Sequence, residues 1–102
     1  MSHTLVTYTV KPGREEENAA LVRTVFEELA QTRPDGLRYA VFYIPDSRQF
    51  IHLYTDEGSP TGVQGLDSFK AFVAGAQDRH EQPAVSTQLE LIGDYRTFEN
   101  RD

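Results

Sequence analysis

Leu37 to Ile44 reads as a strand with apolar residues on both sides. One set of alternate positions holds Leu37, Tyr39, Val41 and Tyr43, and the other holds Arg38, Ala40, Phe42 and Ile44. Phe50 to Thr55 repeats the pattern, with Phe50, His52 and Tyr54 on one side and Ile51, Leu53 and Thr55 on the other. Strand side chains alternate between the two faces of a sheet. A small antiparallel sheet packed on helices normally turns a polar second face to water, and this one has none to turn. Helices account for one face, and a chain of 102 residues has nothing left to cover the other. The expected cover is a second copy of the chain, with a pocket between sheet and partner.

The rest of the sequence supplies the helices. Thr4 to Val10 alternates β-branched and aromatic residues and reads as a first strand, ended by Lys11-Pro12-Gly13. From Arg14 to Gln31 the period changes, with Leu21, Val22, Val25, Phe26 and Leu29 at helical spacing. Glu15, Glu16 and Glu17 fall in the first turn, where the helix dipole favours negative charge. Pro34-Asp35-Gly36 stops the helix.

Pro45-Asp46-Ser47-Arg48 joins the two apolar strands. Placing Ile44 opposite Gln49 puts Tyr39, Val41 and Tyr43 on the same face as Phe50, His52 and Tyr54. The aliphatic set, with Phe42, Ile44, Ile51 and Leu53, is then expected under the helices, and the aromatic set with His52 is expected to line the pocket. Asp56 to Gly65 reads as a loop. Leu66 to His80 reads as a second amphipathic helix, with Asp67 or Ser68 as its cap. Pro83 closes the turn after it, Val85 to Tyr95 alternates as a long last strand, and Glu99 to Asp102 is a loose tail. The order β-α-β-β-α-β is the ferredoxin-like arrangement, an α+β fold in a single domain over residues 1–102.

Composition narrows the function. Sixteen acidic against ten basic side chains give a formal charge of −6. That balance argues against nucleic acid as a partner, because affinity for phosphate backbones comes from Lys and Arg, and against an anionic membrane surface. The absence of Cys removes disulfides, thiolate nucleophiles and thiolate metal sites. The first residues lack a signal-peptide pattern, and no apolar run has the roughly 18–20 residues of a membrane span. A cytoplasmic, soluble protein is expected. No metal-ligand spacing, phosphate-cradling glycine loop or Gly-x-Ser-x-Gly elbow is present.

Several segments resemble the small antibiotic-biosynthesis-monooxygenase type of domain. These are the first strand running into Lys11-Pro12-Gly13 with acidic residues after it, Pro34-Asp35-Gly36 leading into a strand, and the pair Tyr39–Tyr43 and Phe50–Tyr54. Leu66-x-x-Phe69-x-x-Phe72 and the closing Ile92-Gly93-Asp94-Tyr95-Arg96 complete the likeness, which runs from about Leu5 to Phe98. It implies a homodimer whose sheets form a dimeric α/β barrel, each half holding a pocket between sheet and helices. It also implies oxidation of phenols or quinols by molecular oxygen without metal or flavin, so no cofactor is expected. The sequence departs from that pattern in having no Trp, with Tyr54 standing about where one belongs, and no Asn on a pocket strand. Asn18 and Asn100 are the only asparagines. Haem degradation, known for some relatives, is disfavoured by the same gaps.

His52 is the candidate base. Imidazole titrates near neutrality and can take a phenolic proton, leaving an electron-rich phenolate that reacts with oxygen. Its competing role is a histidine hydrogen-bonded inside an aromatic cluster. Tyr39, Tyr43, Tyr54 and Tyr8 are candidate contacts to a flat aromatic substrate, and so is Phe72, although its spacing also suits the core. His80 is a rival pocket histidine, or else a surface residue at a helix C-terminus. Three functions stay open: a cofactor-independent monooxygenase for a small phenolic or quinol-type molecule, a non-catalytic dimeric binding protein for a small aromatic metabolite, and a structural dimer with a filled interior.

Overall fold

The computed structural model describes residues 2–56 and 62–97. In chain order these form β1 (Ser2–Val10), α1 (Glu15–Thr32), β2 (Leu37–Ile44), β3 (Gln49–Asp56), α2 (Asp67–Ala74), α3 (Ala76–Arg79) and β4 (His80–Leu89). Short 3-10 turns occupy Pro45–Ser47 and Gly62–Gly65. The strands make one antiparallel sheet in the order β2-β3-β1-β4. Helical residues Val22, Val25 and Phe72 pack against Tyr8, Val10 and Phe50 on one face of it. This is the expected ferredoxin-like α+β arrangement. Among the described residues no helix is long and apolar enough to cross a membrane.

Local chemistry sets the turns. Gly13 and Gly36 adopt positive φ at the two ends of α1, a backbone conformation that carries little strain only in glycine. Glu15, Glu16 and Glu17 lie in the first turn of α1. After β2 the 3-10 turn at Pro45–Ser47 ends on Arg48 at φ 55°. Arg48 then ties the hairpin to its neighbours, donating from Nε to the Val10 carbonyl and pairing with Glu81 at 3.3 Å. The hairpin register is the one expected, with Ile44 opposite Gln49, Tyr43 opposite Phe50, Val41 opposite His52 and Tyr39 opposite Tyr54.

The covering of the two faces is the reverse of the expectation. Tyr8, Phe50 and His52 are buried, and Phe26 of α1 stacks on Tyr39 with ring centroids 4.9 Å apart. The aromatic-plus-His face therefore lies under the helices. Phe42 and Ile44, expected there, stand on the open face, Phe42 at 45% exposure. The physical reason is that the phenols and the imidazole bond one another. A polar face whose groups are paired can be buried without the desolvation cost that unpaired groups carry. The open face keeps Phe42, Ile44, Ile51, Leu53 and Val85, all by strand parity on the side away from the helices.

The second half of the chain departs from expectation in two further places. The helix expected from Leu66 to His80 breaks at Gly75, so α3 is a separate short turn. The start of α2 is capped from outside rather than by Asp67 or Ser68: the carboxylate of Glu28 accepts from the backbone N–H and hydroxyl of Ser68. Strand β4 begins at His80, not Val85, and contains Pro83 instead of being preceded by it. Two register shifts against β1, between Thr7 and Thr9 and between Thr9 and Val10, absorb the extra residues. A proline fits an edge strand at such bulges. The strand stops at Leu89, opposite His3, because β1 has almost no residues left to pair with. Residues 90–95, expected to continue it, leave Ile92 and Tyr95 exposed. The expected loop of residues 56–65 falls partly, and the expected tail of residues 99–102 wholly, outside the described residues.

Candidate functional site

Helix α1 and the α3–β4 junction bring two polar residues onto the aromatic face. Asn18 lies four residues before Val22 and seven before Val25, on the buried stripe of α1, and is 0% exposed. Arg79, the last residue of α3, is 2% exposed. Its Nε donates to Asn18 Oδ1 at 3.0 Å and its Nη2 to the Phe72 carbonyl at 2.7 Å, with the guanidinium 5.0 Å from the Phe72 ring centre. Gly75 makes room for it. A Cβ at that position would lie 2.6 Å from Arg79 Nη1.

From Arg79 a single chain of hydrogen bonds crosses the interior. Arginine can only donate, so the Asn18 atom facing it is oxygen and the amide nitrogen faces Tyr8, donating to its hydroxyl at 2.9 Å. The Tyr8 hydroxyl lies 2.8 Å from His52 Nε2, and the Tyr39 hydroxyl lies 2.6 Å from His52 Nδ1. With the Tyr8 oxygen accepting from Asn18, we assign its own proton to Nε2, so that the hydroxyl both accepts and donates. That assignment, made from the bonding pattern, places the imidazole proton on Nδ1, where it donates to the Tyr39 oxygen. Among the described residues none accepts the Tyr39 proton, so the chain ends in a free O–H donor.

Burial sets the protonation states. It pushes the His52 pKa down to about 4, with the neighbouring His80 adding to the effect. It pushes the Tyr8 phenol up to about 12, against an opposing pull from Asn18 and the Arg79 charge. Tyr39 is also raised by burial. At neutral pH the imidazole and both phenols are therefore uncharged. The relay is a neutral hydrogen-bond chain anchored by one buried cation.

Most of the sequence-derived candidates gather here. Tyr8, His52 and Tyr39 are bonded in series, and Phe72 packs 5.6 Å from His52 and 6.2 Å from Tyr8, ring centre to ring centre. His80 opens β4 instead of ending a helix. Its ring stacks on Tyr8 at 4.0 Å, and its buried Nε2 has no hydrogen-bond partner among the described residues. Tyr54 meets Tyr39 edge-on at 6.0 Å. Tyr43 packs against Phe50 at the margin of the face, the rings tilted by 39°, and among the described residues it makes no bond to His52. The sequence reading missed Asn18 and Arg79. Asn18 carried a signal, its place on the apolar stripe of α1, whereas the pocket asparagine was sought only on the strands. Arg79 follows Phe72 and Ala76 at helical spacing, a weaker signal interrupted by Gly75.

A cavity of about 330 Å³ opens beside this relay, between the end of α1 and the start of β2. Phe26, Leu29, Arg33, Pro34, Leu37 and Tyr39 line it. Tyr39 thus serves both places: it lines the cavity, and its hydroxyl bonds His52. Among the described residues no group of three or more His, Asp or Glu side chains is placed to hold a metal ion.

No protein-family model matches the sequence, and no curated protein matches it either. Solved structures do match in fold. A Mycobacterium tuberculosis protein superposes with a TM-score of 0.74 at 14% identity, covering 91% of this chain and 96% of its own. A structure named antibiotic biosynthesis monooxygenase gives 0.69 at 15% identity, covering 91% of this chain and 100% of its own. A conserved protein of Methanosarcina mazei gives 0.70 at 20% identity, covering 86% and 89%. The chain has the fold of the antibiotic-biosynthesis-monooxygenase-like structures, over most of its length.

Proposed function

We propose that the chain is a monooxygenase-like enzyme acting on a small phenolic or quinol-type molecule, bound in the cavity beside Tyr39. The observation that carries this reading is the double role of Tyr39, cavity wall and last member of the His52 relay. A flat ring fits against Phe26 and Tyr39, and the free Tyr39 O–H donates to the substrate oxygen. Such a donor stabilises negative charge on that oxygen, which makes the ring electron-rich and able to reduce dioxygen. In the reaction one oxygen atom becomes a new quinone carbonyl and the other leaves as water, with the phenol as the reductant. His52 acts through Tyr39, because both its ring nitrogens are occupied by tyrosine hydroxyls.

Oxygen uptake with a panel of hydroquinones and naphthols tests this. Tyr39→Phe removes the donor and keeps the ring, so turnover falls about 10²–10³-fold with little change in binding. His52→Ala lowers turnover as well, because it removes the partner that holds the Tyr39 hydroxyl. Unchanged rates in both variants would remove the relay from the mechanism.

The second reading is a non-catalytic binding protein for the same class of ligand. It is favoured by the low pKa of His52, about 4, which makes it a weak base at neutral pH. Ligand binding without oxygen uptake across the whole panel decides for it. In either case we propose a homodimer, with a second copy covering the apolar open face. A stable contact of that kind buries roughly 1,600 Å² or more in total, and a monomer in light scattering at micromolar concentration removes it.

A further inference from the structure

The cavity has a chemical polarity that the relay does not use. Its walls are Phe26, Leu29, Pro34, Leu37 and Tyr39, and Arg33 is the one charged residue among those that line it. Arg33 makes no ion pair among the described residues, in a chain with sixteen acidic side chains. Its backbone lies in the left-handed region, as do those of Arg48 and Arg96. It caps α1 in the left-handed region at φ 46°, ψ 59°, donating its N–H to the Leu29 carbonyl. Glycine is the residue that commonly takes this position without strain.

Its guanidinium has one internal bond, from Nε to the Ala30 carbonyl at 3.4 Å. That contact satisfies a carbonyl at the helix end and helps to offset the negative end of the dipole. Of the five N–H donors of an arginine side chain, the four on Nη1 and Nη2 have no partner among the described residues. A planar fork of this type suits a carboxylate or similar anion.

We infer that the cavity takes a small flat molecule carrying one anionic group, with Arg33 holding the anion and Phe26, Leu29 and Tyr39 holding the ring. This rests on reading the cavity as the ligand pocket, and it narrows the substrate class to phenols or quinols bearing an acidic substituent. The volume, near the lower end of the ~300–1,000 Å³ usual for ligand pockets, suits one or two rings.

The test uses a pair of probes of matched shape, 2-naphthoate and 2-naphthamide, titrated into the full chain at neutral pH and followed by calorimetry and backbone amide NMR. The charged probe is expected to bind roughly tenfold more tightly, with amide shifts clustered around residues 26–39 and with affinity that falls as salt is added. Arg33→Gln and Arg33→Gly are expected to abolish the preference while leaving naphthamide binding unchanged. Arg33→Gly matters because glycine suits the left-handed cap, so loss of the preference in that variant is not a folding failure. Equal affinity for the two probes in the wild type, or a preference that survives in both variants, overturns the inference and leaves the pocket reading standing. Failure of both probes to bind overturns the two together.

Discussion

On the helix side of the sheet, Tyr8, His52 and Tyr39 are bonded in series with Asn18 and Arg79, and five polar side chains of four kinds find partners there. On the other side, Phe42, Ile44, Ile51, Leu53 and Val85 carry no polar side-chain atom at all, yet three of them, Phe42, Ile44 and Val85, are exposed. Hydrophobicity alone would sort the faces the other way. What decides is whether each polar atom finds a partner inside, and whether helices bring shapes that fit. Phe26 and Phe72 present rings to the aromatic face, and Asn18 supplies an amide that bonds at both ends.

The largest expected difference between the faces is in packing. Phe72, 6% exposed, sits among Tyr8, His52 and Phe69. Phe72→Ala is expected to lower unfolding free energy by about 3–5 kcal/mol in urea denaturation. A loss under about 1 kcal/mol would mean that the helix side is not the load of the core.

Acid should discriminate next. An unfolded histidine takes up its proton near 6.5, while His52 in the fold does so only near 4. Between those values the unfolded state binds more protons. The stability is therefore fully present above about pH 6.5 and is lost as the pH falls through about 4, a change of about 3 kcal/mol across the window. His80, lowered by burial and by the Arg79 charge, acts in the same direction. Urea midpoints from pH 7 to 4 check this, and His52→Gln should flatten the curve. A wild-type midpoint independent of pH over that range contradicts a buried, neutral His52.

Asn18→Leu probes the relay itself. It keeps the volume and leaves Arg79 Nε and Tyr8 without their partner, for an expected loss of about 2–3 kcal/mol. The nitrogen chemical shifts of His52 should change as well, since the Tyr8 hydroxyl it bonds loses the amide that donates to it. Unaltered shifts would show that Tyr8 and His52 orient themselves without it. The smallest effect is expected on the open face. Phe42→Ala should cost under about 1 kcal/mol in the separated chain, and a larger, concentration-dependent loss would point to a covered face.

Much of the architecture was legible in the residues. Period-2 alternation located β1, β2 and β3, helical spacing located α1, and Pro45-Asp46-Ser47-Arg48 gave the hairpin register residue for residue. The burial of a face was not legible, because alternation tells which side chains share a face and is silent on what covers it when both are apolar. The site was half legible. Tyr8, His52 and Tyr39 were singled out by type and parity, but their mutual bonds depend on β1 and β2 flanking β3, which is a tertiary fact. Asn18 and Arg79 come from helices facing that sheet. Pro83 misled the reading of β4, since a proline that ends most strands is tolerated in an edge strand with bulges.

The same edge has a consequence for how copies of this chain can grow. Pro83 offers no N–H, and the register shifts around Gln82 twist the strand there. A foreign strand laid along β4 therefore finds a regular template only from Val85 to Leu89, a short stretch of the ten-residue strand. Edge-to-edge addition of strands, the route to fibres, is hindered along the first half of β4. Strand β2, the opposite edge of the sheet, has no proline, so this restriction applies to the β4 edge alone.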